Sequence, residues 1–468
     1  MKKTVILSIV AMLGMSQAWG QLQRSDEFHQ KYKLSEVFVF SRHNIRASLS
    51  APGSFISQIT PFKWHDFGVN AGELTMKGGV LETINGQFFH KWVVSEGLFP
   101  ENAIPTDDEL YVLSNSKQRT ISTARHFASS FMPMKNITVH HDGPVGNMDP
   151  NFYLGLGDDL TESDWQQIRA EYASLCTPEK LRQASESLKD AYEIMSDVLD
   201  TKNSEAFIGG TFNGFTNYNS EVELSVGVEP EVTASLNDAS KAADALLFQY
   251  YEETDPAKRT FGTPLTHEQL QMICEVIHVK DKMRFASPFV QRYVSRHQRE
   301  YIANALQTEG RKFTFMCGHD TNILNILSAL RVKSYVTTDA IEPGTPIGSK
   351  IVFEKWTDGS GNAFIGVNHV YQTLDELLDN SLLDLNTRPN IIPIEFEGME
   401  PNTDGLYPMS DMINRLLCND VLSSVKELSS DSKTTSESQR YTLSGVAVSE
   451  NHCGITIKDG VKQLTVSN

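Results

Sequence analysis

Val37-Phe38-Val39-Phe40-Ser41-Arg42-His43-Asn44-Ile45-Arg46 is the stretch from which the rest of the chain is read. Its first four residues form an unbroken apolar run of β-branched and aromatic side chains, the pattern of a strand buried on both faces. Such strands belong to parallel sheets covered by helices. The basic cluster then falls in the loop at the strand's carboxyl end, where open α/β sheets bind their ligands. A histidine with an arginine on either side presents an imidazole nucleophile among guanidinium donors, as attack on a phosphoryl group requires. A solvated basic loop accounts for the same residues equally well, so the choice turns on what other strand ends carry.

Two more strand ends carry matching groups. Leu110-Tyr111-Val112-Leu113 reads as a strand, and Arg119 follows at the start of a helix whose apolar positions are Ile121, Ala124, Phe127 and Ala128. Phe313-Thr314-Phe315-Met316-Cys317 is again a buried strand and leads into Gly318-His319-Asp320-Thr321-Asn322. Asp320 in that place also suits a helix N-cap, but His319 has no such explanation. In a parallel sheet, crossovers of one hand bring all these ends to one edge.

The whole chain predicts an α/β fold: a twisted, mainly parallel sheet flanked by helices, with an inserted helical cap domain. Residues 21–160 and 311–428 carry the α/β pattern, and 161–310 are predominantly helical. Ser429 to Gln439 reads as a linker, and 440–468 as a β-rich tail, in which Asp459-Gly460 between alternating runs signals a hairpin. A basic start at Lys2-Lys3, an apolar run from Thr4 to Met15 and the small-x-small site Ala18-Trp19-Gly20 make residues 1–20 a cleavable export signal. The tail is a possible sorting signal that directs further export.

Composition narrows the function. The 468 residues include 41 basic and 59 acidic side chains, for a formal charge of -18. So acidic a surface argues against nucleic-acid or anionic-membrane partners, and no later run approaches a membrane helix. The five cysteines are too widely spaced for a zinc site or a dense disulfide framework, though one or two bridges are compatible with export. Hydrolysis of a phosphate monoester without metal or cofactor needs a nucleophile, donors for the phosphoryl oxygens and an acid for the leaving oxygen. His43 fills the first role, Arg42, Arg46, Arg119 and His319 the second, and Asp320 the third.

Those residues resemble the histidine acid phosphatases, branch 2 of the histidine phosphatase superfamily. The family's Arg-His-Gly-x-Arg-x-Pro signature corresponds to Arg42-His43-Asn44-Ile45-Arg46-Ala47-Ser48, with Asn after the histidine as in its sugar-phosphatase members. Its His-Asp signature corresponds to His319-Asp320. Matches continue through Lys77-Gly78-Gly79, Gln118-Arg119-Thr120, Gln249-Tyr250-Tyr251-Glu252 and Thr345-Pro346-Ile347-Gly348-Ser349-Lys350. The resemblance implies a phosphoglycerate-mutase-like fold, acid-pH hydrolysis through a phosphohistidine, no cofactor, and Glu252 as a substrate-binding residue. The expected partner is a small phosphorylated sugar, glucose 1-phosphate being the favoured example, or an inositol phosphate. A phytase with the same mechanism is the alternative, and a non-catalytic phosphosugar-binding protein a more distant one. Ser48 stands where the signature has proline, a change expected to loosen the loop that carries Arg46.

Overall fold

The computed structural model of the chain describes residues 24–51, 53–215 and 219–419, and the short strands Arg440–Thr442, Ala447–Val448, Gly454–Lys458 and Val461–Thr465. The predicted export signal and linker lie outside the described residues.

Helix α1 (Asp26–Lys31), whose first turn is capped by the Ser25 hydroxyl, delivers the chain into strand β1 (Tyr32–Arg42). Period-2 alternation then sorts its side chains. Val37 and Val39 enter one core, among Phe88, Phe89, Trp92 and Phe127, while Phe38 and Phe40 enter another with Met316, Ile323 and Phe353. Both faces are therefore covered, which is why the run carries no polar residue.

The short α2 (Phe55–Gln58) and long α3 (Met76–Ser95) lead to β2 (Leu110–Ser114), α4 (Gln118–Phe131) and β3 (Val139–His140). Helices α3 and α4 cover one face of the sheet, with the Phe127 and Phe131 rings 4.1 Å from those of Phe315 and Phe313. The chain then enters its helical part: α5 (Glu162–Leu175), α6 (Pro178–Ser187), α7 (Lys189–Val198), α8 (Glu205–Ile208), the small β4 (Val222–Glu223) and β5 (Glu231–Val232), α9 (Ser235–Glu252), α10 (His267–Arg284), α11 (Pro288–Val294) and α12 (Arg296–Ala305). Leu246, Leu247, Tyr251, Ile273 and Val276 of α9 and α10 build a core of their own with Tyr192 and Met195 of α7. Ile302 and Ala303 of α12 pack instead with Phe38 and Met316 against the sheet.

Strand β6 (Phe313–Gly318) returns the chain to the sheet and is followed by α13 (Asp320–Ala329), β7 (Lys350–Asp358), β8 (Ala363–Tyr371), α14 (Leu374–Asp379), β9 (Asn390–Pro393), β10 (Tyr407–Pro408) and α15 (Met409–Leu416). The sheet order is β10-β8-β7-β1-β6-β2-β3, with β9 also on β8. It is mixed: β1, β6, β2 and β3 run parallel, and β7 to β10 add antiparallel strands. This is the helix-flanked α/β sheet the sequence predicts.

Register does the positioning. Arg42 pairs with Gly318 and Ser114 with Cys317, so β1, β6 and β2 end side by side. Farther on, β13 (Gly454–Lys458) pairs antiparallel with β14 (Val461–Thr465), in a small sheet with β11 (Arg440–Thr442) and β12 (Ala447–Val448). Among the described residues no helix is long and apolar enough to cross a membrane, and Cys176, Cys274, Cys317 and Cys418 are free thiols.

Candidate active site

Beyond the paired strand ends, backbone bonds extend the ladder into the loops. His43 donates its N–H to the Gly318 carbonyl at 3.0 Å, and Asn115 to that of Cys317 at 2.9 Å. The His43 and His319 rings thereby come within 5.4 Å, centroid to centroid. Arg42, His43, Arg46, Arg119, His319 and Asp320, drawn from three loops, are brought together.

His43 is fully buried, and its Nδ1 lies 2.8 Å from the Asn44 carbonyl oxygen. A carbonyl only accepts, so Nδ1 carries the proton and Nε2 keeps its lone pair. Burial, reinforced by Arg119, His319, Arg46 and Arg42, pushes the imidazole well below its ordinary pKa. The ring is thereby biased toward its neutral form, with the Nε2 lone pair free.

His319 is fixed by Asn115. The Asn115 Oδ1 accepts from the Asp149 N–H at 2.9 Å, which turns its Nδ2 toward His319 Nε2 at 2.6 Å. His319 Nε2 must accept, so its proton sits on Nδ1, 3.4 Å from the Arg119 guanidinium. Two donors side by side are what an anion would accept from.

The arginines differ in how they are balanced. Arg42 lies 3.0 Å from Asp320 and 2.8 Å from Glu342, and Arg46 grips Asp244 of α9 at 2.6 and 3.2 Å with the Phe248 ring 3.9 Å from its guanidinium carbon. Arg119, second residue of α4, makes no ion pair among the described residues. The Nε–H groups of all three are buried without a protein acceptor. Donors left unmade in a protein interior are costly, and an anion satisfies them.

Asp320 is not the helix cap that its position suggested. His319 is the cap of α13, its backbone N–H donating to Asn322 Oδ1 at 3.0 Å, and Asp320 is the first helical residue. Its carboxylate is thus left to Arg42 and to the Thr321 N–H at 2.8 Å. Burial works to raise its pKa, but Arg42, His319 and the Thr321 N–H outweigh it and hold the carboxyl at about 2. The positive end of α13 adds to that field.

The loop from β1, with Ser48 where the signature has proline, is tied to the chain before α3 by backbone bonds. Arg46 pairs with Leu74 in an antiparallel bridge, Ala47 donates to Glu73 at 2.8 Å, and Ser48 accepts from Gly72 at 3.0 Å. Asn44 is buried, donating to Glu82 at 3.0 Å while Glu82 also holds Lys350. The neighbouring backbone must come close to leave it room: a Cβ on Gly348, at φ +67°, would lie 2.6 Å from Asn44 Nδ2. Gly78 answers a similar need, since a Cβ there would sit 2.2 Å from the Ile45 carbonyl.

His43, Arg46, Arg119, His319 and Asp320 open into a cavity of about 620 Å³ lined on the cap side by Asp244, Lys241, Glu229, Asp281 and Arg284. Glu252 is placed differently from the other sequence-predicted residues. It accepts from Thr75, the cap of α3, at 2.7 Å and does not line this cavity. Eight residues earlier on α9, about two helical turns away, Asp244 is the acid that does. Sequence reasoning missed Asp244, Glu342 and Asn115. Only Glu342 left a trace, three residues before the matched Thr345-Pro346-Ile347-Gly348 segment.

A buried histidine beside the unpaired Arg119 guanidinium, with an acid at a helix start, is an arrangement suited to a phosphoryl group. The chain belongs to the histidine phosphatase superfamily (branch 2), whose family model matches residues 23–372. It is 31% identical over 418 residues to a glucose-1-phosphatase of Salmonella typhimurium, covering 88% of this chain and 98% of that relative. The phytase AppA of Escherichia coli is 25% identical over 431 residues, covering 86% and 94%. Among solved structures, the apo phytase of Hafnia alvei aligns with a TM-score of 0.73 at 24% identity over 83% of this chain and 97% of that one, so the fold is shared.

Proposed function

We propose that the chain is an exported acid phosphatase that hydrolyses small sugar phosphates of the glucose 1-phosphate kind through a phosphohistidine at His43. The observation that carries this reading is the Nδ1 bond of His43 to the Asn44 carbonyl, which leaves Nε2 as a fixed, neutral nucleophile. The phosphoryl oxygens are held by Arg42, Arg46, Arg119 and His319 Nδ1. His43 Nε2 forms the bond to phosphorus as the bond to the leaving oxygen breaks, and Asp320 supplies that oxygen's proton. Water then takes the phosphoryl group from Nε2, giving its proton back to Asp320. Arg119, free of any carboxylate, supports the incoming phosphate most directly. Arg119→Ala is expected to lose ~1.5 to 3 kcal/mol, roughly a ten- to hundred-fold fall in kcat/KM, measured with a sugar phosphate.

The cap wall favours a substrate with one phosphate and a neutral polyol. Arg284 is already held by Glu229 at 2.7 Å and Asp281 at 3.1 Å, and Lys241 by Asp238 at 3.0 Å. Carboxylates here accept from sugar hydroxyls but repel further phosphates. Hydrolysis of glucose 1-phosphate and phytate between pH 4 and 6 tests this. A preference in kcat/KM of about ten-fold or more for the sugar phosphate is expected, about 1.4 kcal/mol of discrimination. A comparable preference for phytate would reverse the assignment and make the chain a phytase. Glu252 stands in this reading as the residue that fixes the start of α3 through Thr75. Export is expected to leave a mature chain beginning at Gln21.

A further inference from the structure

Arg42 does not serve Asp320 alone. Its guanidinium lies between two carboxylates, with Nη2 3.0 Å from Asp320 Oδ2 and Nη1 2.8 Å from Glu342 Oε1. Glu342 is buried, and its other oxygen accepts from the Tyr251 hydroxyl at 2.6 Å and from the Ile347 N–H at 2.9 Å. Tyr251, also buried, comes from the cap helix α9, where its carbonyl accepts from Lys77 at 2.7 Å. Glu342 is thus held on Arg42 from both domains' sides. A buried cation between two carboxylates divides its field between them, so each weakens its hold on the other.

We propose that Glu342, fixed by Tyr251, is a positioning residue that limits the grip of Arg42 on Asp320, so that Asp320 gains and releases its proton during turnover. The other groups facing Asp320 do not do this. Arg46 and Arg119 add positive field rather than relieve it, and His319 is a neutral ring that carries its one proton on Nδ1. Across a small cavity of about 50 Å³ lie Asp244, Cys274, His278 and Asp281. Asp244 is committed to Arg46 and Asp281 to Arg284, and the buried Cys274 thiol is held neutral. Burial and Lys282 keep His278 toward its neutral form. Glu342 is the one of these groups that shares the arginine of Asp320 itself.

The inference rests on Asp320 as the proton donor. Its test is the rate of enzyme phosphorylation by rapid quench against pH, on the full mature chain, with glucose 1-phosphate and with p-nitrophenyl phosphate. Glu342→Gln should lower the alkaline limb by about one pH unit for the sugar phosphate, because Arg42 then turns wholly to Asp320. The same variant should bind inorganic phosphate several-fold more tightly, since the cradle loses a negative charge. Tyr251→Phe should move that limb the other way, upward by a few tenths of a pH unit, as Glu342 with one donor fewer leans harder on Arg42. Neither shift should appear with p-nitrophenyl phosphate, whose leaving group needs little protonation. An unmoved or lowered limb in Tyr251→Phe, or equal effects on both substrates, overturns the proposal, and Tyr251→Phe decides alone if Glu342→Gln does not fold. If Asp320→Asn slows both substrates alike, the proton-donor assignment itself fails; if it discriminates between them while Tyr251→Phe shifts nothing, only the role of Glu342 fails.

Discussion

His43→Ala is expected to remove turnover by a factor on the order of 10⁵ or more, the scale on which an enzyme loses activity with its covalent nucleophile. The loss should fall in kcat, with the fold intact. His43 sits among Arg42, Arg46 and Arg119 as a neutral ring, and burial and those cations hold it so. Its removal therefore takes away no charge, and the cradle should still bind inorganic phosphate with little change. Steady-state kinetics beside calorimetric titration with phosphate separates the two. A variant that kept more than about a hundredth of wild-type kcat would mean that another group, or an activated water, attacks phosphorus.

Asp320→Asn is expected to slow hydrolysis of glucose 1-phosphate by roughly 10²- to 10⁴-fold, the usual worth of a positioned general acid. The same change should cost far less with p-nitrophenyl phosphate. The pH dependence follows from where the proton resides. Without substrate, burial would raise the Asp320 carboxyl, but Arg42 and its other partners hold it at about 2, so at working pH it is ionised. In the proposed reaction it gains a proton when a phosphate monoanion arrives, takes over the arginine field and brings its own proton. Since a phosphate ester loses that second proton near pH 6 and Asp320 must hold it in the complex, the wild-type rate should fall as pH rises from about 6, at a point set by Asp320 and the bound phosphate together. On the acid side the depressed imidazole of His43 delays protonation of the nucleophile, so activity should persist well below pH 6. A pH–rate profile with its optimum above 7 would be incompatible with both assignments.

The parts of the site that the sequence makes legible are those that follow directly from a strand. Val37 to Phe40 and, but for Thr314, Phe313 to Cys317 are apolar runs, which identifies central parallel strands, and a parallel register must bring the residues beyond them, Arg42-His43 and His319-Asp320, to one edge. Arg119 is legible for the same reason, at the start of the helix after β2. Helix-borne groups are less so. Which acid of α9 faces the cavity depends on how that helix sits over the sheet, and Asp244 rather than Glu252 lines it. Glu342 lies in a loop with no periodicity, and only its bonds to Arg42 and Tyr251 mark it. The capping role that Asp320 suits passes to His319, because the helix begins one residue earlier than the apolar pattern alone indicates. The backbone bonds from this loop to Gly72 and Glu73 leave no sign in the sequence, where only the serine at position 48 shows.

The central claim is that His43 Nε2 carries the phosphoryl group between substrate and water. Brief mixing with glucose 1-phosphate, denaturation in base to preserve a phosphoramidate, and peptide mapping by mass spectrometry test it most directly. The predicted result is acid-labile phosphate on the peptide containing His43, attached at Nε2, because Nδ1 is occupied by the Asn44 carbonyl. Full turnover with no phosphorylated peptide, or with the phosphate on any other residue, would contradict it.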